Sequence, residues 1–209
     1  MQYSKKKLWL AGVLILVCLV ISTAVLESDR YGVWDRGLSY MFHESHDYML
    51  SVSLDENVYT LEIDLNDLDS NTGKKIYENG DCYIKVGLVH TAHEKNGGYR
   101  VIFQSYGVSD YIEGKIVSGL LYHGSHTDLS AKMQTTYNGV TYDCSSCGYG
   151  SIGEDNTDTF GFYLFPTEAY ETDAVSTEST GTVTVALTNL REHEWRRIEN
   201  FDFLTRYIN

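Results

Sequence analysis

Proline occurs once in the chain, at Pro166, where ordinary usage of about 5% would give around ten in a chain of this size. That scarcity excludes a proline-rich stalk or rigid spacer. No Asn-x-Ser/Thr glycosylation acceptor is present. Basic residues are also scarce: 16 Lys and Arg stand against 29 Asp and Glu, a formal net charge of −13. A surface of that sign repels polyanions, so nucleic acid and anionic lipid headgroups are not expected as partners. Divalent cations or basic partners suit it better, and plain solubility needs neither. Catalytic signatures are missing as well. The chain contains no Gly-x-Ser-x-Gly elbow and no His-Glu-x-x-His helix. Gly148, Gly150 and Gly153 match a dinucleotide fingerprint as text, but the acids Glu154, Asp155 and Asp158 follow where a helix N-terminus should receive phosphate.

Charge is absent altogether from Leu8 to Leu26. As a helix this run would reach about 28 Å, close to the ~30 Å hydrocarbon thickness of a bilayer. Lys5, Lys6 and Lys7 precede it, and Glu27 and Asp29 follow. Lysines before and acids after hold the N-terminus in the cytoplasm and send the remainder across. Ser22-Thr23-Ala24 also offers a signal-peptidase site, which would release a secreted protein after Ala24. Val25 and Leu26 extend the run to spanning length, and Tyr31 and Trp34 suit the headgroup zone. The expectation is a retained single-pass anchor. Four segments follow: a cytoplasmic basic tail (1–7), the anchor or uncleaved signal (8–26), a juxtamembrane connector (27–47) and an extracytoplasmic domain (48–209).

Beyond residue 26 lie all 29 acids and 13 of the 16 basic residues, a formal charge of −16, together with 16 of the 17 tyrosines. Tyrosine and threonine favour strands. Apolar or alternating runs at Tyr48–Leu54, Val58–Ile63, Cys82–Val89, Tyr99–Tyr106, Tyr111–Val117, Met133–Tyr137, Val140–Cys144, Phe160–Phe165 and Thr182–Leu187 read as strands. Asn138-Gly139 between two of them is a hairpin turn signal, since a type I′ turn needs two positive φ angles. Tyr48, Leu50, Val52 and Leu54 should share one face. The fold expected is mainly β, an antiparallel sandwich or barrel-like domain. At the C-terminus, Asn189 and Glu192 have capping-box spacing, with Trp195, Ile198, Phe201, Leu204 and Ile208 near one face, so a helix is expected there.

Six of the seven histidines form His-x-x-His pairs: His43/His46, His90/His93 and His123/His126. Neutral imidazoles bind zinc and copper, and this spacing brings two rings to one side only in a turn or helix. Polar loop histidines, or groups that charge in mild acid, would need no metal. Asp67, Asp69 and Asn71, with Glu78 at position twelve, have calcium-loop spacing, although Thr72 stands where glycine is wanted. An Asx-rich turn gives the same pattern without an ion. Cys82, Cys144 and Cys147 lie beyond the anchor, in a compartment where disulfides persist. A bond from Cys82 to one of the other two closes the longer loop and is the expected pairing.

These features point to a membrane-anchored binding or assembly protein with a protein or surface partner. A transition-metal-binding ectodomain is one alternative, with zinc or copper on the histidine pairs and calcium as a lesser option. An extracytoplasmic hydrolase with paired carboxylates is another.

Overall fold

The computed structural model describes residues 12–22, 42, 48–91, 98–109, 112–123, 126–152 and 157–198. Residues 12–22 are helical, with Leu14, Ile15, Leu16, Leu19 and Val20 exposed. Among the described residues no helix is long and apolar enough to cross a membrane. The flanks of the expected spanning run, residues 8–11 and 23–26, lie outside the described residues.

Everything else of substance is β. The strands are β1 (Tyr48–Asp55), β2 (Tyr59–Asp64), β3 (Lys75–Asn79), β4 (Cys82–Thr91), β5 (Tyr99–Tyr106), β6 (Val108–Ser109), β7 (Glu113–Ser118), β8 (Leu120–His123), β9 (His126–Leu129), β10 (Lys132–Tyr137), β11 (Val140–Asp143), β12 (Ser146–Ile152), β13 (Thr157–Tyr163), β14 (Thr182–Thr188) and β15 (Leu190–Arg197). They form a five-stranded sheet ordered β12-β13-β5-β4-β3, two four-stranded sheets ordered β1-β15-β7-β6 and β11-β10-β14-β2, and the β8-β9 hairpin. Every pairing given for these strands is antiparallel. One short helix, Thr167–Glu171, follows Pro166.

Alternation explains which way each strand faces. In β5, Tyr99, Val101, Phe103 and Ser105 are buried, while Arg100, Ile102, Gln104 and Tyr106 point outward, half-buried. Register then stacks Phe103 on Phe160 and Val101 on Phe162 in the inner layer. Aromatic rings join the sheets across the core. Phe165 packs edge-on against Tyr99 of one sheet and Tyr137 and Tyr142 of another, and Tyr59 meets Tyr77 likewise. Gly119 permits one close approach, because a Cβ there would meet the Phe160 ring at 2.7 Å. Asn138 and Gly139 both take positive φ, 50° and 79°, as the hairpin signal requires.

One expectation is corrected and a second is met. Leu190–Arg197 is a strand, not the start of a C-terminal helix; it lies between β1 and β7. Asn189 is no helix cap but a turn residue at φ 58° between β14 and β15. His193 and Trp195 are buried while Glu194 and Arg196 are exposed, a period of two that the 3.6-residue reading missed. Phe201, Leu204 and Ile208 lie outside the described residues. Second, Tyr48, Leu50, Val52 and Leu54 do share a face, paired with Arg197, Trp195, His193 and Arg191. Only Tyr48 is buried, however, because β1 is the terminal strand of its sheet and its neighbours cover one side alone.

Candidate functional site

The residues singled out by sequence scatter over the domain. His43, His46 and His93 lie outside the described residues. His90 ends β4, where its Nδ1 approaches the Thr91 carbonyl (3.1 Å) and its Nε2 meets Nε–H of Arg100. His123 and His126 face each other across the mouth of the β8-β9 hairpin, ring centroids 5.6 Å apart, and His123 Nε2 lies 2.6 Å from Asp128. The antiparallel pairing of β8 and β9 therefore brings these two rings together. Among the described residues no group of three or more His, Cys, Asp or Glu side chains could hold a metal ion.

Asp67, Asp69, Asn71 and Glu78 do not converge on one point. Asp69–Asn71 forms a single 3-10 turn, and Asn71 is fully buried inside it. The Asn71 amide donates to the carbonyls of Asp64, Asp67 and Leu68, while its oxygen accepts from the Asp64 N–H and the Lys74 ammonium (2.7 Å). An ammonium at that oxygen occupies the place a calcium ligand would offer. Glu78 sits on β3, bridged to Lys75.

Cys82, Cys144 and Cys147 are free thiols in this structure, and no disulfide joins the expected pair. Cys82 opens β4 and Cys147 lies on β12, at the far edge of the same sheet with two strands between them. At about 4.8 Å per strand they stand roughly 14 Å apart, twice the reach of a disulfide. Cys144 is turned inward, 3.0 Å from the Thr135 hydroxyl and 3.4 Å from the Leu164 carbonyl. Burial pushes its thiol up to about 11, too high for a nucleophile at neutral pH.

A polar cluster that the sequence did not flag lies where three sheets meet. Phe42 of the connector stacks on Tyr122 (4.7 Å) and touches His193 (5.2 Å) and Trp195 (6.2 Å) edge-on. The Tyr122 hydroxyl donates to buried Asp158. His193 Nε2 is 2.8 Å from the Leu120 carbonyl, leaving Nδ1 as a buried acceptor without a partner. Burial drives the His193 imidazole down to about 4, helped by Arg191 and opposed by the Leu120 hydrogen bond. The cluster is closed by its own rings. A neutral histidine with a buried lone pair costs stability.

An open groove of about 630 Å³ is lined by Asp55, Glu56, Glu78 and Glu192 with Tyr59 and Tyr77. Burial raises the Asp55 carboxyl, but hydrogen bonds from Asn57 and Tyr59 outweigh it and hold the group below its ordinary range. Tyr59 is correspondingly pushed up to about 12, by burial first and then by Asp55. A general acid needs the opposite shift, so Asp55 does not supply one.

The solvent face of the five-stranded sheet differs from all of these. Tyr83 and Tyr106, directly paired on β4 and β5, stack at 4.7 Å with 13° between their planes. Lys75 lies over the Tyr83 ring (4.7 Å) and Lys85 over the Tyr106 ring (4.6 Å). Lys75 and Lys85 are themselves cross-strand partners. Further along, Arg100 lies beside His90, and Gln104 accepts from the Tyr106 hydroxyl (3.2 Å). Outward alternation in Cys82–Val89 and Tyr99–Tyr106 was readable from the sequence. The register that turns Tyr83, Lys85, Gln104 and Tyr106 into neighbours was not.

No family model, curated protein or solved structure matches the chain.

Proposed function

We propose that this chain is a membrane-anchored display protein: Leu8–Leu26 spans the bilayer, the N-terminus is cytoplasmic, and the β-rich domain works outside by binding rather than catalysis. The uncharged run, the lysines before it and the acids after it support this topology. The exposed apolar side chains of residues 12–22 also need cover, which lipid supplies. The observation that carries the binding reading is the Lys75-Tyr83-Tyr106-Lys85 stack. Two lysines set directly across a strand pair repel each other, an arrangement that weakens a sheet. Holding them there over tyrosine rings makes sense for a surface that receives an anionic partner. The working face is therefore the solvent side of the five-stranded sheet.

Protease shaving of intact cells tests the topology, and loss of the domain with retention of residues 1–26 in the membrane is expected. Quantitative methylation of lysines, compared between intact cells and purified full-length protein, tests the face. Lys75 and Lys85 should be protected in cells while Lys132 is not. A protease-resistant domain overturns the orientation. Equal labelling of all three lysines overturns the binding face.

A further inference from the structure

We infer that the partner of this face is an anionic polysaccharide lying along β4 and β5, an inference that rests on the binding reading above. The first argument is charge. In a chain with 29 acids, the described side chains on this face include Lys75, Lys85 and Arg100, with Glu78 at the β3 edge as the one carboxylate. Lys75 is bridged to Glu78, whereas Lys85 has no carboxylate within ion-pair distance among the described residues. At physiological salt the Debye length is about 8 Å, so acids elsewhere on the domain are screened and this local array governs what approaches.

The second argument is preorganisation. A free lysine side chain samples many rotamers, and its seat over a tyrosine ring removes part of that freedom before any ligand arrives. The Arg100 guanidinium is similarly steadied by His90. The cations fall into two groups. Lys85 pairs with Gln104, and Arg100 lies four residues along β5, which separates the two ends by about 13 Å at the rise of an antiparallel strand. A small anion reaches one end only. A polymer with repeated charges reaches both.

The rim chemistry selects among polymers. Around the cations lie the amide of Gln104 and the hydroxyls of Tyr83, Tyr106, Thr159 and Tyr163, with the apolar pair Leu88 and Ile102 between the Lys85 and Arg100 ends. Such donors and acceptors suit a polyhydroxylated chain. Single-stranded nucleic acid is disfavoured because bases need open aromatic faces. Here the two tyrosines stack on one another and each ring already carries a lysine ammonium. An acidic peptide would look for a free strand edge or apolar pockets. β4 and β5 are interior strands with both edges paired.

The test uses full-length protein in nanodiscs of zwitterionic lipid, titrated calorimetrically with polygalacturonate at low and physiological salt. Binding that weakens as salt rises is expected. Lys75→Gln with Lys85→Gln should weaken it at least tenfold, Arg100→Gln severalfold, and Lys85→Arg should restore it. Lys115→Gln, on another sheet, should leave it unchanged. Circular dichroism and melting temperature confirm that each variant is folded. Dextran sulfate, neutral dextran, poly-glutamate and a single-stranded DNA are the comparison arms. Stronger binding of dextran sulfate supports the inference and assigns sulfate over carboxylate. Equal binding of neutral dextran, or stronger binding of poly-glutamate or DNA, overturns it, as does polysaccharide binding that ignores the lysine substitutions. Should no polysaccharide bind while Lys75 and Lys85 remain protected in cells, this inference falls and the binding face stands.

Discussion

Lys115 and Lys85 occupy comparable places, each outward-facing on an interior strand of an antiparallel sheet, and their company is opposite. Lys115, on β7, lies 2.8 Å from Glu192 and 3.5 Å from Glu194 of β15. The hydrogen bond it donates to Glu192 leads the effects that raise its ammonium above the ordinary lysine range, outweighing partial burial. Its charge is neutralised within the sheet. Lys85 faces Lys75 across the strands and rests on a tyrosine ring. Its charge is left for something outside the molecule. One lysine is part of how a sheet holds together, and the other is better explained by what the sheet meets. The same division separates the two sides of the five-stranded sheet, apolar and closed within, cationic and open without.

The comparison breaks most visibly from the inside. Phe160→Ala removes a ring that packs on Phe103 and Phe162 and closes over Gly119. It should cost about 3–5 kcal/mol, measured by urea unfolding. A cost under about 1 kcal/mol would mean that the inner face is not the stabilising one.

Acid sharpens the contrast next. In the folded state His193 stays neutral down to about 4, whereas the unfolded chain takes the proton near 6.5. Below pH 6.5 the unfolded state therefore binds more protons. The His193 contribution is whole above pH 6.5, declines as pH falls, and is lost by about pH 4, a difference of about 3 kcal/mol at most. His193→Gln should flatten that segment of the stability curve relative to wild type. Identical slopes for the two proteins would show that His193 is not held neutral by the fold.

The smallest effect bears most directly on the two lysines. Glu192→Gln should destabilise by no more than about 1 kcal/mol, and less at high salt, because the pair with Lys115 is only partly buried. Lys85→Gln should change stability by less than about 0.5 kcal/mol in either direction while weakening the salt-sensitive binding. Equal losses of stability for both would erase the distinction drawn here.

How much of this was legible beforehand depended on the range of the interaction. Tyr99–Tyr106 is a strand with the bounds read from its alternation, and Asn138-Gly139 turns as its φ requirement demands. Leu190–Arg197 was misread because Asn189 and Glu192 imitate a cap, while its true partners lie far away in the chain at β1 and β7. Short strands such as Leu120–His123 and His126–Leu129 carry too few residues for a periodicity to stand out. Cysteine spacing suggested a bridge from Cys82, and sheet order separates Cys82 from Cys147 by two strands.

Sequence alone determined the acidic balance, the uncharged N-terminal run and the β character, because these depend on composition and on neighbours one or two residues away. Tertiary structure decided which lysine meets glutamate and which meets lysine. Strand register makes neighbours of Lys75 and Lys85, of Tyr83 and Tyr106, and of Lys115 and Glu194. Register follows from how the buried faces of all the strands fit together, and no local stretch of sequence contains that information.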